Sequence, residues 1–323
     1  MRKPSKTEEA YHNLEKIGSL PITEETIATL KSALNSTTSL LVSKAADIAG
    51  STNIQELIPD MVSAFNRFMI NGAKVDKQCN AKNSIGKALV DMEFTGDSIY
   101  LAGAYYIQME PALGGPVDTA TELRCNCAFG LARIGHRDVH YVLADLLVDN
   151  ERVVRVAAAK ALTFLGDPES ELLLRLKVLT VDSEIDVMAE CFSGLMTMAP
   201  ERSLDFVARY LQSNDPALLE CAALAIGQSH MPRAFEVLKN CWNENIASNL
   251  RWFIILPIAL LRTDDAFNFL VKIVRAAETN LAGQALSALS LYADEESVKR
   301  VREAVLARGD KAILDKFDQE FTL

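Results

Sequence analysis

Val154-Arg155-Val156-Ala157-Ala158-Ala159-Lys160-Ala161-Leu162-Thr163-Phe164-Leu165-Gly166-Asp167-Pro168 is the stretch whose reading decides the fold. Ala158, Leu162 and Leu165 stand at i−4, i and i+3, which is one face of an α-helix. Asp167-Pro168 then carries the chemistry of a new helix start, an N-cap carboxylate followed by proline at the first helical position. The same arrangement recurs on both sides. Ile48, Leu89, Leu131, Leu162, Leu195, Ile226, Ile258 and Leu289 form one apolar column at intervals of 41, 42, 31, 33, 31, 32 and 31 residues. A near-constant period of this length marks stacked supersecondary units.

Four residues before the column stand Ile85, Cys127, Ala158, Cys191, Ala222, Ile254 and Ala285, with Lys44 in the first unit. The residue just before it is usually small (Ala88, Gly130, Ala161, Gly194, Ala225, Ala288), which lets a neighbouring helix approach closely. Between columns lies a second amphipathic stretch, as in Val142, Leu143, Leu146, Leu147, then Leu172, Leu173, Leu176, Leu179, then Leu204, Phe206, Val207, Leu211. Each unit therefore reads as a helical hairpin that buries its faces only against its neighbours. Asp215-Pro216 repeats the helix start, and Glu151 and Glu184 stand at equivalent places.

Val154-Arg155, Ala158, Ala161-Leu162, Gly166 and Asp167-Pro168 resemble the inner-helix signature of HEAT repeats, particularly the short units of the phycobilisome-lyase type and of many bacterial HEAT proteins. The resemblance runs from about Glu122 to Leu306. Basic residues take the place of Arg155 at Lys82, Arg124 and Arg251, whereas Met188, Leu219 and Ala282 replace it elsewhere, so no continuous basic ladder exists. The resemblance implies an all-α solenoid, a HEAT-like superhelix of about eight stacked hairpins with capping helices at both ends. A single solenoid over 1–323 is expected, with 1–36 as N-terminal cap and first outer helix. Long units then span 37–123, short units 124–294, and a C-terminal cap 295–323.

Composition narrows the function classes. Hydrophobic residues at 49% with only 7% aromatics suit Leu/Ala-rich helices and exclude a disordered chain. The net charge of −10 is spread along the chain without a polybasic block, which argues against nucleic acid as the main partner. Met1 to His12 is polar and does not read as a secretory signal. The longest apolar run, Trp252 to Leu261, contains Pro257 and falls short of the about 20 residues that a bilayer-spanning helix needs. A cytoplasmic chain is expected, with its six cysteines reduced and in the core.

Candidate chemistry is sparse. Cys125 and Cys127, two apart on a helix, point about 200° away from each other and cannot grip one metal. His136 and His140 straddle the turn at Gly135 with no third ligand in sight, and read as solvated turn residues. The sequence shows no nucleophile elbow, Walker-type loop or dinucleotide fingerprint, so no catalytic residue, metal or cofactor is assigned. Gly114-Gly115 reads as a turn and Asp118 or Thr119 as the cap of the next helix; Gly114, Gly115 and Asp118 are also candidates for a ligand-contacting rim loop. Tyr105 and Tyr106 are adjacent, so one of them is expected at a surface or repeat junction. The most unusual inner helix is Leu250-Arg251-Trp252-Phe253-Ile254-Ile255-Leu256-Pro257, apolar nearly all round and kinked by Pro257. Arg251, Trp252 and Phe253 stand out as a partner anchor, with Arg124 and Arg155 as further partner-contacting candidates.

Three readings compete with one another on this basis. A non-enzymatic scaffold or adaptor would hold another protein on the concave face. Resemblance to the phycobilin-lyase type implies instead an enzyme or chaperone handling a bound small molecule such as a tetrapyrrole. A nucleic-acid protein similar to the HEAT-like alkyl-base glycosylases is the third possibility, set against the acidic charge.

Overall fold

A computed structural model describes residues 6–18, 21–245, 250–292 and 294–321. The chain is all-α apart from one short hairpin, and each of its two compact units, 1–165 and 166–323, is a stack of helical hairpins of the solenoid type. In the first unit, α1 (Lys6–Ile17) and α2 (Glu24–Leu34) precede the inner helices α3 (Ser39–Ser51), α6 (Asn80–Asp91), α8 (Thr121–Arg133) and α10 (Arg152–Leu165). Between these run α4 (Ile58–Met69), the short α5 (Gly72–Val75), α7 (Asp97–Ala104) and α9 (Val139–Leu146). In the second unit, the inner helices are α12 (Ile185–Met198), α14 (Pro216–Gln228), α16 (Trp252–Leu260) and α18 (Thr279–Leu289). Their outer counterparts are α11 (Pro168–Thr180), α13 (Pro200–Ala208), α15 (Ala234–Asn240), α17 (Asp264–Ala276) and α19 (Glu295–Arg308), and α20 (Lys311–Glu320) ends the series.

Every residue of the apolar column lies on an inner helix and is buried. Successive inner helices pack in order, α3 on α6, α6 on α8 and α8 on α10, then α12 on α14, α14 on α16 and α16 on α18. Apolar side chains at this spacing bury themselves between neighbours, and the burial of each is worth on the order of 1.5–3 kcal/mol. Helix starts follow the local chemistry at Asp167, whose carboxylate accepts from Ser170 N, and at Asp215, which accepts from Ala217 N. Glu184 makes no such side-chain cap.

The two long repeats are long because each carries an insertion ahead of its inner helix. Before α6 stands α5 with a tight turn over residues 76–79; before α8 stands a hairpin of β1 (Met109–Ala112) and β2 (Gly115–Asp118). The strands pair antiparallel, Met109 with Asp118 and Ala112 with Gly115, so the Gly114-Gly115 turn is the tip of a hairpin that periodicity alone did not reveal. Both glycines have positive φ, +103° and +130°, where a side chain would be strained.

One outer helix differs from its expected register. On α11, Leu172, Leu176 and Leu179 are exposed, while Ser170, Glu171, Leu174 and Val178 face the interior. The stretch is apolar almost all round, so periodicity cannot choose its face. Glu171 decides it: its carboxylate receives Arg175 at 3.0 Å and Arg202 at 2.5 Å, which makes burial of that side tolerable.

Candidate functional site

The basic residues seven positions before the column share one task. Lys82 on α6 is fully buried, 2.7 Å from the equally buried Asp76 of the preceding turn. Asp76 also accepts from the amides of Ala81 and Lys82, closing the start of α6. Arg124 on α8, 2% exposed, donates to Asp118 at 2.6 Å, to Tyr106 O at 2.9 Å and in a two-pronged contact to Asp149. Arg155 on α10, 9% exposed, donates to Asp149 O and Asn150 O. Each cation ties its inner helix to the loop before it. Arg124 and Arg155, expected to meet a partner, instead point inward.

This accounts for the interrupted basic pattern. Met188, Leu219 and Ala282, at the same place in the second unit, are buried too. An inward slot can hold either a paired cation or an apolar side chain at similar stability, so the pattern reports packing and not a binding surface.

The two insertions of the first unit lock onto each other. Gln108 Nε2 donates to Asp76 O at 2.7 Å and to Glu110 Oε1 at 2.6 Å, and Glu110 also accepts from Gln78 N and Thr119 Oγ1. Asn71, Gln78 and Cys79 all have positive φ near 55–60°, a conformation that non-glycine residues hold only when their surroundings enforce it. Asp118 accepts from Gln108 N, Ala120 N and Arg124, so it bonds the hairpin base to the chain just before α8 and leaves the helix without a side-chain cap. Burial by itself raises the Asp118 pKa, but these donors outweigh it and hold the carboxyl below its ordinary value. Burial pushes the Cys79 thiol up to about 12. The network is a structural clasp whose polar atoms are turned on one another. Tyr105 is the exposed member of its pair, bonded to Asp145, while Tyr106 bonds Gln108.

His136 is not a solvated residue: its side chain is only 10% exposed and lies 3.6 Å from Asp97. Among the described residues, no group of three or more His, Cys, Asp or Glu could hold a metal ion. No helix among them is long and apolar enough to cross a membrane.

The second unit offers a different kind of site. Trp252, Phe253 and Leu256 of α16 line a hollow of about 410 Å³, closed on one side by Glu220 and Leu224 of α14 and on the other by Gln284 and Ser287 of α18. Trp252 and Leu256 are 43% and 46% exposed, whereas Ile254, Ile255, Pro257 and Ile258 of the same helix are buried. The helix is thus half buried, with an apolar face left open. Pro257 sits where α14 comes closest: a Cβ on Gly227 would stand 2.4 Å from Pro257 O, so glycine is required there. Arg251 separates from the expected anchor trio, because its guanidinium lies 5.4 Å from the ring centroid of Trp242 and does not line the hollow. Leu224, Leu256 and Ser287 are pocket residues that the sequence reading missed; nothing in their type sets them apart from core or surface positions. A larger hollow in the first unit, about 570 Å³, is lined by Glu15, Lys44, Asp47, Lys87 and Asp91 and is polar.

Residues 117–176, from the second hairpin strand into α11, match the family model for HEAT repeats. Among solved structures, the chain is similar to the complex of CpcE and CpcF of phycocyanin lyase from Nostoc sp. PCC7120, at 17% identity over 90% of this chain and 96% of that one, with a TM-score of 0.36. It is also similar to an engineered protein, at 16% identity over 99% and 95% with a TM-score of 0.35. Human deoxyhypusine hydroxylase in complex with glycerol follows at 15% identity, covering 79% and 98%, with a TM-score of 0.31. At these scores the likenesses carry no argument about ligand or chemistry. No curated protein matches the chain.

Proposed function

We propose that this chain is a non-enzymatic scaffold that holds another protein against the inner helices of its second unit, with Trp252, Phe253 and Leu256 as the anchor. The observation that carries the reading is the open apolar face of α16: a tryptophan and a leucine nearly half exposed beside a hollow of about 410 Å³, on a helix whose other face is core. Large aromatic side chains at such places supply much of the binding energy in protein interfaces. The nucleic-acid alternative is weakened by the net charge of −10 and by the burial of Lys82, Arg124 and Arg155, which withdraws three inner-helix cations from any groove. The tetrapyrrole-handling alternative rests on the family resemblance, and a coloured pigment retained through purification would favour it.

The test is affinity capture from the native host with the Trp252→Ala/Phe253→Ala protein, after circular dichroism has shown helicity unchanged. Loss of specific partners is expected. An unchanged partner set would remove the anchor.

A further inference from the structure

The helices that frame the hollow, α14, α16 and α18, contain no lysine or arginine and a single carboxylate, Glu220. The inner helices of the first unit differ, with Lys44, Lys82, Lys87, Arg124, Arg133, Arg152, Arg155 and Lys160 beside Asp47, Asp91 and Glu122. Glu220 lines the hollow itself. On the opposite side, Ser287, which also lines it, donates to Glu320 at 2.8 Å, and Lys316 stands 3.1 Å from that same carboxylate. The opening is therefore apolar at its floor, with Glu220 as its one charged lining residue and a Lys316–Glu320 ion pair beyond Ser287 on the other side.

From this we infer that the segment held at Trp252 is a basic amphipathic one, with apolar side chains on one face and Lys or Arg flanking them. The inference rests on the scaffold reading and names its partner's chemistry. A hollow of about 410 Å³ takes one or two apolar side chains, and a helix with such residues at i and i+4 presents them together. A flanking cation then meets Glu220, whereas an acidic segment would bring a like charge against it, which disfavours that segment.

The test uses two dye-labelled peptides about 18 residues long, one of Leu and Lys and one of Leu and Glu in the same amphipathic pattern, and reads polarisation against the full chain. The Leu/Lys peptide is expected to bind, and to bind more weakly as salt rises. Glu220→Gln should weaken it by about two- to fivefold, the range for one exposed pair, and Trp252→Ala by about tenfold or more. Glu303→Gln, on outer helix α19, should leave it unchanged. Equal binding of the Leu/Glu peptide, with the Trp252→Ala loss intact, overturns the charge inference and leaves the anchor standing. Binding of the Leu/Lys peptide that ignores Trp252→Ala overturns both, as does failure of both peptides to bind.

Discussion

Leu162 has no exposed surface at the centre of α10, and neighbouring helices close over it. Leu162→Ala should cost about 2–5 kcal/mol in urea unfolding, the sum of lost transfer energy and a cavity that collapses only in part; a cost under about 1 kcal/mol would mean that the site is not packed as described. Lys82 is the more demanding residue, because its ammonium has left water completely to meet Asp76. Lys82→Met removes the counter-charge while Asp76 stays buried, so a loss of about 3–5 kcal/mol is expected. Met188 is tolerated at the same repeat position because Asp182, placed before it as Asp76 is before Lys82, already pairs with Lys177 at 2.7 Å, and Leu219 because Ser213 stands there in place of a carboxylate. Asp118 adds a pH dependence. Its folded pKa lies below the ordinary carboxylate value, so its contribution is complete above that range and fades as pH falls through the folded pKa. Asp118→Asn should lower the urea midpoint at about pH 7 and narrow the difference between that midpoint and the one at about pH 3.

At the scale of elements, the contact of α14 with α16 depends on one missing side chain. Gly227→Ala would place a methyl group against Pro257 O, forcing the helices apart. The expected cost is about 1–3 kcal/mol in chemical unfolding, as for other overpacked contacts, and a neutral substitution would show that the two helices separate freely. The inner helices were legible in sequence because each repeats an apolar column residue at helical spacing, in most cases with a small residue just before it. The hairpin was not, since four-residue strands with Pro111 and Pro116 paired opposite each other offer no run of alternating residues to read. Helix α11 shows a different limit: with leucines on most of its surface, only the ion pairs of Glu171 with Arg175 and Arg202 establish which side turns inward.

Over the whole molecule, the six cysteines report on packing. All are free thiols; Cys79, Cys127, Cys191 and Cys241 are buried, while Cys125 and Cys221 are partly covered. Burial raises every one of them, Cys125 and Cys241 to about 11 and Cys191 to about 12. The folded chain should therefore label slowly with a thiol reagent at about pH 8 and take up six equivalents only after denaturation without reductant. Rapid stoichiometric labelling of the folded chain would contradict this burial.

The sequence by itself determined the repeat, its register and the all-α class, because a helix that buries one face must repeat its apolar residues at helical spacing wherever that face recurs. Only the tertiary structure decided what the exceptions mean. Arg124 and Arg155 read as partner-contacting residues until Asp118 and Asp149, from the loops before their helices, are seen to meet them inside. The exposure of Trp252 likewise depends on α14 and α18, which leave a hollow beside it. Periodicity records which face of a helix is apolar; what covers that face depends on residues that fold beside it from other repeats.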